Sequence, residues 1–80
     1  MNWHVYILKS LKDGSHYVGS ASNVNIRLKR HNSGKVRSTK RGVPWEVVYT
    51  EKYLTQQEAY RRERQIKSYH GGKAFKKLLH

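Results

Sequence analysis

The sequence predicts a small α+β domain, a three-stranded antiparallel or mixed sheet flanked by two to three helices in the order β-β-α-β-α(-α). Three observations carry the prediction. Trp3–Lys9 and His16–Ala21, rich in β-branched and aromatic residues, flank a segment with Asp13-Gly14, a strong hairpin signal. Two stretches with helical apolar spacing follow, between Asn23 and Gly34 and from Thr55 to about Tyr69. Between them Trp45–Glu51 (WEVVYTE) reads as a third strand. Eighty residues leave room for one domain, 1–80.

The elements have local reasons. The short Ser10–Gly14 connection makes the first two strands an antiparallel hairpin. Asn23 or Ser22 caps the first helix, and Gly34 stands where a C′ glycine belongs. Val24, Arg27, Leu28 and His31 fall at i, i+3, i+4 and i+7, the inward stripe of an amphipathic helix. Gly34–Pro44 is a basic loop. Thr55 and Glu58 form a capping box for the second helix, with Leu54 and Ala59 as its hydrophobic staple. Gly71-Gly72 stops this helix, and Lys73–Leu79 adds a short last one. The third strand returns to the same sheet.

Composition narrows the function. Lys and Arg number 17 against five acids, a formal charge of +12, which points to polyanionic partners through counterion release. Val, Ile, Leu and Phe make up only 17 of 80 residues, close to the composition of disordered chains, but nine aromatics argue for a folded domain with a thin core. No apolar run approaches a membrane span, and Val5–Leu8 is too short for a signal peptide. The expected location is therefore the cytoplasm. There is no cysteine, which excludes disulfides, zinc fingers and a thiol nucleophile. No Ser/His/Asp triad, phosphate loop or H-x-x-x-H zinc spacing is present.

The chemistry-bearing residues stand out against this background. Ala59, Glu63, Ile66 and His70 lie at i, i+4, i+7 and i+11, so Glu63 points with the apolar face of the second helix. A carboxylate there stays charged only with a partner, either a metal ion or one of the basic side chains. Arg27 and His31 share a stripe. They are either a snorkelling edge arginine and a rim histidine, or the anion grip and proton carrier of a polar pocket. Tyr6 and Tyr17 share one face of the sheet if the hairpin loop has an even residue count, and Gly19 leaves that face open beside Tyr17. Two tyrosines, one arginine, one histidine and one glutamate are expected to face one sheet–helix interface.

Those residues are the ones that resemble a known family. Val5-Tyr6-Ile7 and Tyr17-Val18-Gly19, nine residues apart, resemble the paired marks of the GIY-YIG nuclease domain. Arg27-Leu28-Lys29-Arg30-His31-Asn32-Ser33-Gly34 is similar to its R-L-x-x-H-N-x-G segment, and Glu58–Lys67 to its E-A-x-x-x-E-x-x-I-K. The resemblance spans roughly residues 3 to 70 and is strongest to the small single-domain, excinuclease-subunit-like bacterial proteins. Two departures are visible. Val5 replaces a glycine, and no asparagine follows Glu63, where many members carry one against the phosphate.

The resemblance implies hydrolysis of DNA phosphodiester bonds with one divalent ion, magnesium or manganese, in a setting of DNA repair or recombination. It makes Glu63 the metal ligand and Arg27 the grip on the scissile phosphate. Tyr6 becomes the general base, lowered by Arg27 and His31 as cationic neighbours, with His31 taking the proton onward; Tyr17 binds the water or the phosphate. Lys35, Arg37, Lys40 and Arg41 in the loop and Arg61, Arg62 and Arg64 beside Glu63 then follow the nucleic-acid backbone, or form a solvated basic surface. No base-reading module is present, so binding is expected to be structure-dependent or non-specific. One site cuts one strand per visit, which leaves open a monomer or weak homodimer, with or without a helper subunit. The alternatives are a DNA- or RNA-binding module on the same fold that does not cut, and a basic protein docked on ribosomal RNA.

Overall fold

The chain folds around its first strand. In the computed structural model, which describes residues 2–79, β1 (Trp3–Ser10) lies between β2 (His16–Ala21) and β3 (Trp45–Tyr53) and is antiparallel to both. The fold is thus α+β, with a fully antiparallel sheet of order β2-β1-β3. Val5, Tyr6, Ile7 and Leu8 are each at most 1% exposed, because helices cover both faces of this strand. Alternation sends Val5 and Ile7 one way, onto Ala59, Ile66 and Phe75 of α2 (Gln56–Lys67) and α3 (Lys73–Leu78). It sends Tyr6 and Leu8 the other way, toward Val24 and Leu28 of α1 (Val24–Asn32). Each fully buried aliphatic side chain contributes about 1.5–3 kcal/mol, so a short strand buried on both faces anchors a chain poor in apolar residues.

The helix ends follow the expected chemistry with two corrections. Asn23 Oδ1 accepts from Ile26 N at 3.0 Å and caps α1. Gly34 takes the positive φ of 77° that ends it. Thr55 Oγ1 accepts from Glu58 N at 3.2 Å, but the Leu54–Ala59 staple does not form: Leu54 is 76% exposed while Ala59 is fully buried. The second helix ends at Lys67, short of Tyr69, so His70 lies outside it, exposed and at φ 49°, and does not continue the Ala59–Glu63–Ile66 stripe.

β3 runs two residues past Glu51, to Tyr53, and carries a register shift opposite Ile7/Leu8. The shift reverses the alternation, so Trp45 and Val47 face the α1 side while Tyr49 and Tyr53 face the α2 side. Glu51 stands between those tyrosines. It accepts from both phenols, and its two oxygens accept from Arg62 Nε at 2.9 Å and Arg62 Nη2 at 3.1 Å. Burial alone would raise the Glu51 carboxyl, but the hydrogen bonds from Arg62, Tyr49 and Tyr53 outweigh it and hold it below its ordinary 4.5. Burial and then the same carboxylate push Tyr53 up to about 12.

This carboxylate fastens α2 to β3. Glu51→Gln is expected to lower the unfolding free energy by about 1–3 kcal/mol at pH 7, the range for losing charge-assisted bonds at a partly buried group. Because folding depresses this carboxyl, its contribution is full above the unfolded value near 4.5 and fades as pH falls through the lower folded value. Urea titrations at pH 7 and in acid check both points, with the two proteins converging in acid.

Candidate active site

The site is built where the hairpin crosses under α1. The hairpin pairs Tyr6 with Gly19 and Leu8 with Tyr17. Six residues separate Lys9 from its partner His16, an even count, so both tyrosines lie on one face, ring centroids 6.4 Å apart. Gly19 does not leave open space. A Cβ there would stand 2.5 Å from the Tyr6 hydroxyl and 2.6 Å from its Cζ, so the Tyr6 ring lies across the bare backbone of the edge strand.

His31 closes the pocket from above. It sits in the last turn of α1 on the inward stripe and is only 1% exposed. Its Nε2 lies 3.2 Å from the Tyr6 hydroxyl and its Nδ1 2.8 Å from Thr39 Oγ1. Its ring packs 4.8 Å, centroid to centroid, from Tyr17. Asn32 fixes the end of the helix by clamping Trp45: its Nδ2 donates to Trp45 O at 3.0 Å and its Oδ1 accepts from Trp45 N at 2.6 Å. The loop returns to the site at Thr39, just before the 3₁₀ turn Lys40–Gly42, where the Thr39 carbonyl accepts from Trp45 Nε1 at 2.8 Å.

The electrostatics correct one expectation. The Tyr6 phenol is not lowered by cationic neighbours. Burial and the adjacent Tyr17 outweigh Arg27 and push it up to about 12, with Glu63 adding to the rise. His31 is not a cation either, since burial and then Arg27 and Arg30 hold it below its ordinary 6.5. The pocket therefore holds a neutral phenol bonded to a neutral imidazole. Arg27 shares the helical stripe but its side chain is exposed at the rim, where its charge reaches both Tyr6 and His31.

Glu63 corrects another expectation. The five residues do not face one sheet–helix interface, because α2 covers the face opposite α1. Glu63 is 8% exposed and accepts from Ser20 Oγ at 2.6 Å and from Lys67 Nζ at 2.6 Å. Ser20 follows Gly19 on the edge strand, so the carboxylate and the Tyr6 phenol approach that strand from its two faces, one residue step apart. Among the described residues no three His, Asp or Glu side chains gather as a metal cluster. The donor set still fits one hard divalent ion. Magnesium accepts a single carboxylate and completes its shell with water and substrate phosphate. Here the carboxylate already binds a cation, Lys67, whose side chain is 51% exposed.

The basic residues divide. Lys35, Arg37, Lys40 and Arg41 are exposed on the loop, and Arg61 and Arg64 are exposed on α2. Arg62 is removed from that set, since its guanidinium is engaged by Glu51, Gln65 and Tyr69. Sequence reasoning missed Ser20, Thr39 and Lys67. Lys67 stands i+4 from Glu63, a spacing that signals an ion pair; Ser20 and Thr39 carried no such signal.

Comparison with known proteins follows the same lines. The family model for the GIY-YIG catalytic domain matches residues 2–76. The UPF0213 protein SERP0126 of Staphylococcus epidermidis is 50% identical over 66 residues, covering 81% of this chain and 79% of that protein. A UPF0213 protein of Staphylococcus aureus strain Mu3 is 47% identical over 66 residues, with the same coverage. The solution NMR structure of the UPF0213 protein BH0048 from Bacillus halodurans aligns with a TM-score of 0.54 at 38% identity, over 99% of this chain and 82% of that one.

The packing of Tyr6 on Gly19 is testable without any assay of function. Gly19→Ala is expected to displace the phenol, shift the His31 ring resonances in NMR and cost about 1–3 kcal/mol as overpacking. Gly14→Ala serves as control. It sits at φ 77° with nothing within 4 Å of its Cβ, so it strains only the turn and leaves the His31 resonances in place.

Proposed function

This chain belongs to the GIY-YIG catalytic-domain family, a family of nucleases, and from that premise we propose that it is an endonuclease hydrolysing DNA phosphodiester bonds with one divalent ion, magnesium or manganese. The observation that carries this reading is the buried Tyr6–His31 pair, a phenol hydrogen-bonded to an imidazole, set beside the one buried carboxylate among the described residues.

Each side chain has a task in this reading. Arg27, at the rim, receives the scissile phosphate, whose charge grows in the transition state. The Tyr6 oxygen takes a proton from the attacking water as its own proton passes to His31 Nε2. The water oxygen bonds to phosphorus, the phosphorus–oxygen ester bond breaks with its electron pair going to the leaving oxygen, which takes a proton from solvent, and the attacking water's proton is accounted for on His31. A free phenolate is avoided, which matters for a phenol pushed up to about 12. Tyr17 orients the water or a phosphate oxygen. Glu63 would hold the ion, with Lys67 released from it; when bound, the ion polarises the phosphate and stabilises the leaving oxygen. Lys35, Arg37, Lys40, Arg41, Arg61 and Arg64 hold the backbone without reading bases, giving structure-dependent or non-specific binding.

The Lys67–Glu63 bridge favours a second reading, a module that binds nucleic acid and does not cut. One experiment separates the two. Purified protein is incubated with single-stranded, duplex and branched DNA in magnesium or manganese, beside Glu63→Ala and Tyr6→Phe. The nuclease reading expects cleavage that each substitution lowers by about 10²–10⁴-fold. No cleavage, with salt-dependent binding that survives Glu63→Ala, establishes the binding module; equal cleavage in all three samples marks contamination and overturns the nuclease reading.

Acid supplies a further check. His31 accepts a proton only when neutral, and burial holds it below its ordinary 6.5. The rate is expected to stay level from neutral pH to below the usual histidine range, then fall as His31 protonates. A fall centred above pH 6.5 in the pH–rate profile contradicts this assignment.

A further inference from the structure

We infer that Thr39 is a positioning residue of this site, whose hydroxyl accepts the His31 Nδ1 proton and so fixes the tautomer that turns a bare Nε2 toward the Tyr6 hydroxyl. The tautomer is a property of the folded chain; its catalytic consequence rests on the nuclease reading above.

A neutral imidazole carries one N–H and one lone pair. Both His31 nitrogens meet hydroxyls, and a hydroxyl donates or accepts as required, so the ring's immediate partners do not set its direction. The far ends of the chain do. Beyond Thr39 lies the Val36 carbonyl, 3.5 Å from Oγ1, which only accepts. On the other side the Tyr6 hydroxyl has His31 Nε2 as its one hydrogen-bond partner among the described residues. If Thr39 donated to Nδ1, Nε2–H would point at the Tyr6 oxygen and the phenolic proton would have no protein acceptor. With the protons running from Tyr6 to His31, from His31 to Thr39 and from Thr39 to Val36, each finds one. Tyr6, His31 and Thr39 are all 1% exposed, where an unpaired proton costs about 1–3 kcal/mol.

The framework holds Thr39 independently of His31. Its N–H donates to Val36 O at 3.1 Å, and its carbonyl accepts from Gly42 N at 3.1 Å and Trp45 Nε1 at 2.8 Å. These bonds use only its backbone, so Thr39→Val keeps them while deleting the hydroxyl. The ring then reverts to Nε2–H, the tautomer that an unconstrained neutral histidine side chain prefers, and the lone pair that takes the Tyr6 proton is lost.

The test measures His31 ¹⁵N shifts in long-range ¹H–¹⁵N spectra near neutral pH, beside single-turnover cleavage, for wild type, Thr39→Val and Thr39→Ser. Wild type and Thr39→Ser are expected to show protonated Nδ1 and bare Nε2, and Thr39→Val predominantly protonated Nε2. With an active wild type, Thr39→Val is expected to lose about ten- to a hundredfold in kcat with KM unchanged, the scale seen when the outer partner of a metal-bound histidine is lost, and Thr39→Ser to recover it. Protonated Nε2 in wild type, or an unchanged tautomer in a Thr39→Val protein with native amide spectra, overturns the proposal whatever the cleavage result. If Thr39→Val loses its native spectra, Thr39→Ser and wild type still decide the tautomer. A switched tautomer with unchanged kcat overturns the positioning role. An inactive wild type with the expected tautomers instead overturns the nuclease reading and upholds the proton chain.

Discussion

A phenol buried on the central strand must find a partner for its hydroxyl, and the α1 side of the molecule is arranged around that requirement. Tyr6 lies on β1, where covering helices exclude solvent from both faces. Its hydroxyl reaches His31 only because α1 ends one residue later, capped by Ser33 and released by Gly34. His31 in turn needs a group at Nδ1, which the loop supplies by folding back as far as Thr39. The loop stays there because Trp45 donates to Thr39 O and Asn32 grips the Trp45 backbone. Ser10 joins from the hairpin, donating to Gly42 O at 2.6 Å. One buried hydroxyl thus links strand, helix and loop into a single set of constraints.

The two faces of the sheet divide the labour. The α2 face packs Val5, Ile7, Ala59, Ile66 and Phe75 and carries the Glu51–Arg62 fastening, so it supplies stability. The α1 face carries Tyr6, Tyr17 and the buried His31, and in the proposed reading it supplies the proton-moving groups. They meet at β2 because it is the edge strand and because Gly19 has no side chain to separate Tyr6 from that edge. A carboxylate held by Ser20 and a phenol lying over Gly19 can then address the same side of the molecule without sharing a layer. A thin sheet edge lets an 80-residue chain bring together groups from two layers.

Much of this was legible in the sequence, and the failures have physical reasons. Strand alternation and loop parity put Tyr6 and Tyr17 on one face, and helical spacing turned His31 and Glu63 inward. Spacing reports direction but not depth, so Arg27 shares the stripe of His31 yet stays at the rim, as a long charged side chain does. Nor does it report which face of a sheet a helix covers, so the inward spacing of Glu63 does not reveal that it lies in the layer opposite His31. Leu54 fitted a local staple pattern, yet the N-terminus of α2 has no cover for it. The register shift in β3 has no marker of its own, since no glycine or proline interrupts WEVVYTE. Thr39 lies in a loop without periodicity, where its burial depends on contacts with residues that only the tertiary fold supplies.

The expectation that cations would ionise Tyr6 failed for a reason that bears on the chemistry. A net charge of +12 is spread over the exposed surface, where water and salt screen it, whereas desolvation acts on Tyr6 at full strength. A polyanion docked at the rim would make a phenolate costlier still. Passing the proton to a neutral imidazole reverses that sign, since the imidazolium formed is a cation near the incoming phosphate. In the proposed reaction a polyanionic substrate would therefore oppose ionisation of Tyr6 but favour transfer through it. In the proposed nuclease the basic surface and the neutral interior are therefore compatible parts of one site, since the surface would gather charge and the interior would move a proton without leaving an isolated anion behind.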